Sequence, residues 1–118
     1  MTQGKAEAEH AVVQFHEQFN AEQYHEIYAQ ADDAFHKASK EPDVIAMFEA
    51  VHRKLGTVKQ AKETGWRVGV TPMGTVVNVA YDTEFSDGSG VEQFGFLVKG
   101  GKAVLLQYNI NSPLLVIR

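Results

Sequence analysis

Residues 44–56, VIAMFEAVHRKLG, repeat apolar side chains at helical spacing, whereas residues 74–85, GTVVNVAYDTEF, repeat them at every second position. The first pattern predicts one apolar face of a helix, made of Val44, Met47, Phe48, Val51 and Leu55. The second predicts one apolar face of a strand, made of Thr75, Val77, Val79, Tyr81, Thr83 and Phe85. Because the period changes at Gly56, the chain is predicted to form helices first and strands second.

Two earlier windows repeat the helical spacing and predict two further helices. Their apolar positions are Ala8, Ala11, Val12, Phe15 and Phe19, and then Tyr24, Ile27, Tyr28, Ala31 and Phe35. We expect the first helix to run from about residue 4 to Asn20. Asn20, with Gln23 three residues later, has the form of a capping box that opens the second helix. The second should run from about 21 toward 31 and either fray or re-form through Asp32–Asp33 to Phe35, and residues 36–41 should form a polar connection. Pro42 and Gly56 bracket the third helix.

The part of the chain after Gly56 predicts four antiparallel strands joined by turns. The first strand covers about 57–70, with Val58, Trp66, Val68 and Val70 on one face and a bulge near Gly65. The second ends at a flexible loop over 86–90, the third covers 91–99, and Gly100–Gly101 is a hairpin turn. The fourth strand should carry Val104, Leu106, Tyr108 and Ile110 on one face. The predicted class is therefore α+β.

Length and composition limit the classes of protein that fit. A chain of 118 residues with 44% hydrophobic content fits one domain, residues 1–118. A net charge of −4 with scattered basic residues gives no electrostatic footprint for nucleic acid or for an anionic membrane. The sequence has no cysteine, which excludes disulfides and thiolate sites, and no apolar run approaches the ~20 residues of a membrane span. The polar start is compatible with a natural N-terminus or with a removed leader.

Few residues of the sequence predict chemistry. Glu92 is the only strand acid in an apolar row, beside Phe94, Phe96 and Val98, although an acid near a strand end is more often solvated. No histidine pair has the i, i+4 spacing of a helical metal site, and neither a nucleophile elbow nor a phosphate loop is present. We therefore expect no metal, no cofactor and no assigned catalytic residue.

Three helices followed by a four-stranded antiparallel meander resemble the nuclear transport factor 2-like, cystatin-like cone. The resemblance rests on core and turn positions: Phe15, Phe19–Asn20, Tyr24, Ile27–Tyr28, Leu55–Gly56, Tyr81, Phe85, Glu92, Phe94 and Tyr108. The chain is similar to small bacterial families of that superfamily, of which domain of unknown function 4019 is the nearest that we name. The resemblance implies that the three helices pack on a curved sheet. It also implies a periplasmic or surface location and a homodimer formed through the sheet.

Aromatic side chains are the remaining candidates for a binding site. Inside a cone they would line a pocket for a small apolar ligand, although aromatics on apolar stripes are more often core residues. The residues predicted to bind a ligand are Tyr28, Trp66, Tyr81, Phe94 and Tyr108. The apolar tail over residues 112–118 needs cover from the helices or from a second copy.

Three functional hypotheses remain open from the sequence. The leading one is a non-catalytic domain that binds a small apolar ligand or a protein partner. The second, which the superfamily resemblance implies, is an isomerase or dehydratase with Glu92 or His16 as base and Tyr81 or Tyr108 as hydrogen-bond donor. It requires that Glu92 or His16 be buried. The third is a purely structural dimerisation domain with a filled core.

Overall fold

The protein is described by a computed structural model over residues 3–115. Four helices come first: α1 (Gln3–Asn20), α2 (Tyr24–Gln30), α3 (Asp33–Ala38) and α4 (Glu41–Leu55). Four strands follow: β1 (Val58–Thr71), β2 (Gly74–Phe85), β3 (Gly88–Lys99) and β4 (Lys102–Asn111). They form one antiparallel sheet in the order β1-β2-β3-β4, and a 3₁₀ turn covers Pro113–Leu115. The prediction of an α+β chain with helices before antiparallel strands is confirmed.

The prediction of three helices was wrong, because the second predicted helix is divided in two. Ala31 and Asp32 have extended backbone, which ends α2. The Asp32 carboxylate then accepts a hydrogen bond from the Ala34 backbone N–H, 2.9 Å away, and so caps a new helix. Part of the polar connection expected over residues 36–41 is therefore helical.

Asn20 does not cap the second helix, contrary to the capping-box prediction. Its side chain accepts from the Val58 backbone N–H at 2.8 Å and donates to the Val58 carbonyl at 3.1 Å. Gln23 occupies the N-cap position of α2 and makes no side-chain capping bond. Asn20 thus ties the end of α1 to the start of β1.

The core lies between the helices and one face of the sheet, which we call the helix-side face. Phe15, Phe19 and Phe48 from the helices are buried in the same apolar cluster as Val77 and Val79 from β2. Tyr81, Thr83 and Phe85 continue this buried row. The predicted apolar face of the second strand is confirmed. Apolar burial of this kind contributes roughly 25 cal/mol per Å².

A bulge in β1 matches the prediction made near Gly65. The register of β1 against β2 shifts between Glu63 and Gly65. After the shift Trp66 lies opposite Val79 and Val68 opposite Val77, so both are on the helix-side face. They remain well exposed, however, with Trp66 at 48% and Val68 at 41%. This end of β1 extends beyond the cover of the helices.

The face predicted for the fourth strand was wrong in its first half. The β3–β4 register shifts after Gly95: Gln107 lies opposite Gly95, but Leu105 lies opposite Phe96. Leu106 is the extra residue, and a bulge of this kind reverses the side to which preceding side chains point. As a result Leu105 is buried in the core with Tyr108, whereas Val104 lies opposite Leu97 on the other face.

Residues 86–90, predicted to be a flexible loop, form only a two-residue turn, because Gly88 already pairs with Phe85. The glycines have a packing role here. A Cβ at Gly88 would lie 2.6 Å from Leu114 Cδ1 and 3.0 Å from Leu55 Cδ2. A side chain at this position would therefore require the ends of those two leucines to shift.

The described part of the C-terminal tail is covered by the protein itself. Leu114 and Leu115 are partly buried against the core cluster, while Val116 and Ile117 lie outside the described residues. Within residues 3–115, no helix has both the length and the apolar character needed to cross a membrane.

Candidate functional site: a buried glutamate beside a small cleft

Glu92 lies on the helix-side face in the middle of the sheet, between Tyr81 on β2 and Ile110 on β4. Its side chain is only 1% exposed. The alternation of β3 turns Glu92 inward together with Phe94 and Phe96, which are also buried. Since an isolated carboxylate is very costly to bury, its position requires hydrogen-bond donors nearby.

Three side chains from three elements supply those donors. Tyr108 of β4 donates its hydroxyl to Glu92 Oε2 at 2.6 Å. Thr83 of β2 donates to Oε1, also at 2.6 Å, and Nε2 of His16 on α1 lies 2.7 Å from the same oxygen. When Glu92 is ionised it only accepts hydrogen bonds, and His16 then presents Nε2–H to it. We call Glu92, His16, Thr83 and Tyr108 the buried polar network.

Burial keeps the tyrosines of this region protonated. Loss of solvation, together with the nearby Glu92 carboxylate, raises the pKa of Tyr108 well above 10. Burial is also the main cause that raises the pKa of Tyr81 to about 12, with Glu63 adding a smaller contribution. Tyr108 is therefore a hydrogen-bond donor to Glu92 at every physiological pH.

Aromatic rings enclose the network. The Phe15 ring lies 4.8 Å from that of Tyr108 and 5.1 Å from that of Phe94, measured between centroids. Phe94 and Tyr108 are also 5.1 Å apart. The polar atoms thus sit in a medium of low dielectric constant, where each hydrogen bond is stronger than in water and each missing one costs more.

A cleft of about 210 Å³ between α3, α4 and β4 reaches Tyr108 from the surface. Most of its wall is apolar, and Ser39, Asp43 and Gln107 add a few polar groups. Its lining residues are Phe35, Ala38, Ser39, Asp43, Val44, Met47, Leu106, Gln107 and Tyr108. Tyr108 is the one residue shared by this cleft and the buried polar network. A mostly apolar wall with a few polar groups is typical of small-molecule sites.

The structure brings together three of the five residues predicted to bind a ligand. The ring centroid of Phe94 lies 6.1 Å from that of Tyr81 and 5.1 Å from that of Tyr108. Both Phe94 and Tyr81 are buried in the core, however. Tyr28 is separate and donates its hydroxyl to the carbonyl of Ser39, which lines the cleft. Trp66 is at the exposed edge of the sheet, where Lys5 Nζ lies 5.4 Å from its ring centroid.

Sequence reasoning identified Glu92 and His16 as candidate bases, and both are buried, as the enzyme hypothesis required. It missed the contribution of Thr83, although Thr83 belongs to the same two-residue alternation as Tyr81. It also could not pair Tyr108 with Glu92, because they come from different strands. A threonine within a buried apolar row, opposite a strand bearing an inward acid, was the available signal.

The described residues contain no group of three or more histidine or acidic side chains able to hold a metal ion. Comparisons of the chain with protein-family models and with curated proteins find no match.

Proposed function

We propose that the chain is a non-catalytic binding domain of the nuclear transport factor 2-like, cystatin-like superfamily, similar to domain of unknown function 4019. Its ligand is a small apolar molecule that occupies the cleft ending at Tyr108. The order of helices and strands and the inward-facing aromatics support the family. The cleft is the single observation that carries the binding function.

The size of the cleft limits the ligand. Sites for drug-sized ligands have volumes of roughly 300–1,000 Å³, so a cleft of about 210 Å³ suits a molecule of only a few heavy atoms. Phe35, Val44, Met47 and Leu106 provide apolar contact, and the Tyr108 ring closes the inner end. The Tyr108 hydroxyl is already used by Glu92, so the ligand contacts the ring rather than the hydroxyl.

The burial of Glu92 and its existing hydrogen bonds argue against catalysis. A general base needs to be within hydrogen-bond reach of the proton that it removes. Both Glu92 oxygens already hold donors, and the side chain is 1% exposed. A substrate would have to displace Tyr108 before it reached the carboxylate.

Binding is tested by titrating the protein with phenol and with cyclohexanol while amide and methyl NMR signals are recorded. We expect saturable shifts confined to α3, α4 and β4. Ala38→Phe fills the cleft and should abolish them, whereas Ala46→Phe, at an exposed position of α4 outside the lining, should not. The absence of saturable shifts with both probes, or equal shifts in the Ala38→Phe protein, would refute the proposal.

An isomerase-type enzyme is the second candidate. It requires that His16 or Glu92 be buried, and both side chains are. Its test is the conversion of a small β,γ-unsaturated ketone into the conjugated isomer, followed by ultraviolet absorbance. A saturable rate that is lost in Glu92→Gln and kept in Asp82→Asn would establish this candidate and refute a non-catalytic domain. Asp82 is a suitable control because it is an exposed acid on the opposite face of the same sheet.

The proposal includes a homodimer formed through the face of the sheet that the helices leave open. At its centre a groove of about 450 Å³ is lined by neutral residues such as Ala80, Gly95 and Gln93, with Arg67 as its one charged member. Ala80→Arg should convert a dimer into a monomer in size-exclusion chromatography with light scattering. Val13→Arg, at an exposed position of α1, is the matched control. A dimer that binds neither probe would favour the purely structural hypothesis.

A further inference from the structure

A groove of about 500 Å³ lies between α1 and the turn that joins β3 to β4, and we call it the α1–β4 groove. Its lining residues are Ala6, Glu7, His10, Ala11, Gln14, Gly101, Lys102 and Ala103. None of them lines the cleft that ends at Tyr108, so the groove is a separate space. Its volume is within the roughly 300–1,000 Å³ that small-molecule sites occupy.

The polar side chains that α1 contributes to the groove share one face of the helix. Glu7, His10 and Gln14 are spaced i, i+3 and i+7, which places them one above another. Lys102, at the first position of β4, contributes the opposite charge from the sheet. The other lining residues are small, and a Cβ at Gly101 would meet nothing within 4 Å, so the rim formed by the turn is open. The groove therefore combines charges of both signs with a lining of small residues.

One carboxylate oxygen of Glu7 is left without a hydrogen-bond donor by the described residues. This atom, Oε1, is buried, and no donor in that part of the chain bonds to it. The nearby Lys5 does not serve it, because the Lys5 ammonium pairs with Glu9 at 2.5 Å and with Glu63 at 3.4 Å. A buried oxygen without a donor costs free energy, which a ligand that brings a donor recovers.

Lys102 likewise forms no ion pair with another residue of the described range 3–115. Lys99 lies opposite it in the β3–β4 ladder, but the Lys99 ammonium is 2.6 Å from the Asp32 carboxylate. The charges of Glu7 and Lys102 are therefore both available to a ligand in the groove that they line. A ligand with a single charge gains from one of them and is repelled by the other, whereas a ligand that carries both signs gains from both.

We propose that the α1–β4 groove binds a small zwitterion, a molecule in which a short aliphatic segment joins an ammonium group to a carboxylate. The ammonium donates to the buried oxygen of Glu7, and the carboxylate accepts from the Lys102 ammonium. The three alanines of the lining contact the aliphatic segment. This site goes beyond the binding of an apolar molecule in the cleft at Tyr108 and does not depend on it.

The probe that tests this proposal is ε-aminocaproic acid, whose flexible chain lets its two charges adjust to the separation of Glu7 and Lys102. Hexylamine and caproic acid are the matched probes, because each keeps the aliphatic chain and only one of the charges. In titrations followed by amide NMR, we expect saturable shifts with the zwitterion, confined to α1 and the start of β4. Either single-charge probe should bind about tenfold more weakly, since it forms one charged hydrogen bond instead of two. The absence of saturable shifts with ε-aminocaproic acid, or equal affinity for the three probes, would overturn the proposal.

Variants separate the groove from the charge of the chain in general. Glu7→Gln and Lys102→Gln should each weaken the binding of ε-aminocaproic acid about tenfold, because a charged hydrogen bond becomes a neutral one. Glu17→Gln on α1 and Lys59→Gln on β1, at exposed positions outside the lining, should bind as the unmodified chain does. Equal affinities of Glu7→Gln and Glu17→Gln would overturn the proposal.

The stability of the free protein provides a second readout. Because Glu7 forms no ion pair with the other described residues, Glu7→Gln should change the melting temperature of the free protein little. The rise in melting temperature that ε-aminocaproic acid causes in the unmodified chain should, in contrast, be lost in this variant. A marked fall in the melting temperature of free Glu7→Gln would show that the carboxylate has a structural partner, and would also overturn the proposal.

Discussion

Replacing Tyr108 with phenylalanine tests whether the buried polar network is built around an ionised carboxylate. The substitution removes one hydroxyl and keeps the ring that contacts Phe15 and Phe94. What is lost is the 2.6 Å hydrogen bond to Glu92 Oε2. A hydrogen bond to a charged group contributes about 1.5–3 kcal/mol, so we expect Tyr108→Phe to lower the free energy of unfolding by about 2 kcal/mol.

The same substitution should cost less when Glu92 is already glutamine. A hydrogen bond between neutral partners contributes about 1 kcal/mol, so the double-mutant cycle should show a coupling of about 1 kcal/mol. Urea unfolding followed by far-ultraviolet circular dichroism measures all four proteins. Tyr28→Phe is the matched control, because it removes a hydroxyl bonded to a neutral carbonyl, that of Ser39, and should not couple to Glu92→Gln. Equal costs of Tyr108→Phe in both backgrounds would refute the ionised carboxylate.

Three further substitutions test the core, the N-cap of α3 and the C-cap of α4. Phe48→Ala should lower the free energy of unfolding by about 3–5 kcal/mol in urea titrations, because Phe48 is fully buried; a loss under ~1 kcal/mol would contradict that burial. The Lys99 ammonium, and after it the hydrogen bond from the Ala34 N–H, lower the pKa of Asp32 in the folded protein. The Asp32 carboxylate therefore stabilises the folded state at pH values above the ordinary pKa of 3.8. This stabilisation is lost as the pH falls through the lower pKa of the folded state. Asp32→Asn should therefore flatten the acid limb of a plot of melting temperature against pH, and an unchanged limb would exclude Asp32 as its cause. Gly56→Ala should lower the melting temperature markedly, because φ is +86° and the new Cβ would lie 1.9 Å from a serine oxygen. Gly69→Ala, with nothing within 4 Å of its Cβ, is the control, and equal effects would contradict the argument.

Periodicity predicted the elements that have one buried face. The spacing over residues 44–56 corresponds to α4, and the alternation over 74–85 corresponds to β2, because each buries one apolar stripe in the same core. In β4 the apolar run Val104–Leu105–Leu106 fits either face, so the pattern contains no signal for the bulge at Leu106. Likewise, the division between α2 and α3 depends on a single capping aspartate within a continuous helical pattern.

The candidate site was predictable only in part for a related reason. Glu92 could be identified because an acid in an apolar row is rare and requires compensation. His16 and Tyr108 could be identified as candidates, but their pairing with Glu92 could not be predicted, since they are separated from it along the chain and meet it only after the sheet and α1 have packed. The exposure of Trp66, Val68 and Val70 could not be predicted for the opposite reason. Their alternation resembles that of a buried strand, and only the position of α1 leaves them exposed.

Tyr108 connects the two functional candidates, because its ring closes the inner end of the cleft and its hydroxyl donates a hydrogen bond to Glu92. A ligand that contacts only the ring leaves the network intact and gains its full binding energy. A substrate that needs Glu92 must first break a bond of about 1.5–3 kcal/mol, which reduces its apparent affinity by roughly 10- to 100-fold. Catalysis would therefore require a substrate whose own donor replaces the Tyr108 hydroxyl, whereas binding requires only an apolar surface. For a small molecule with few groups to contribute, this difference favours the binding function.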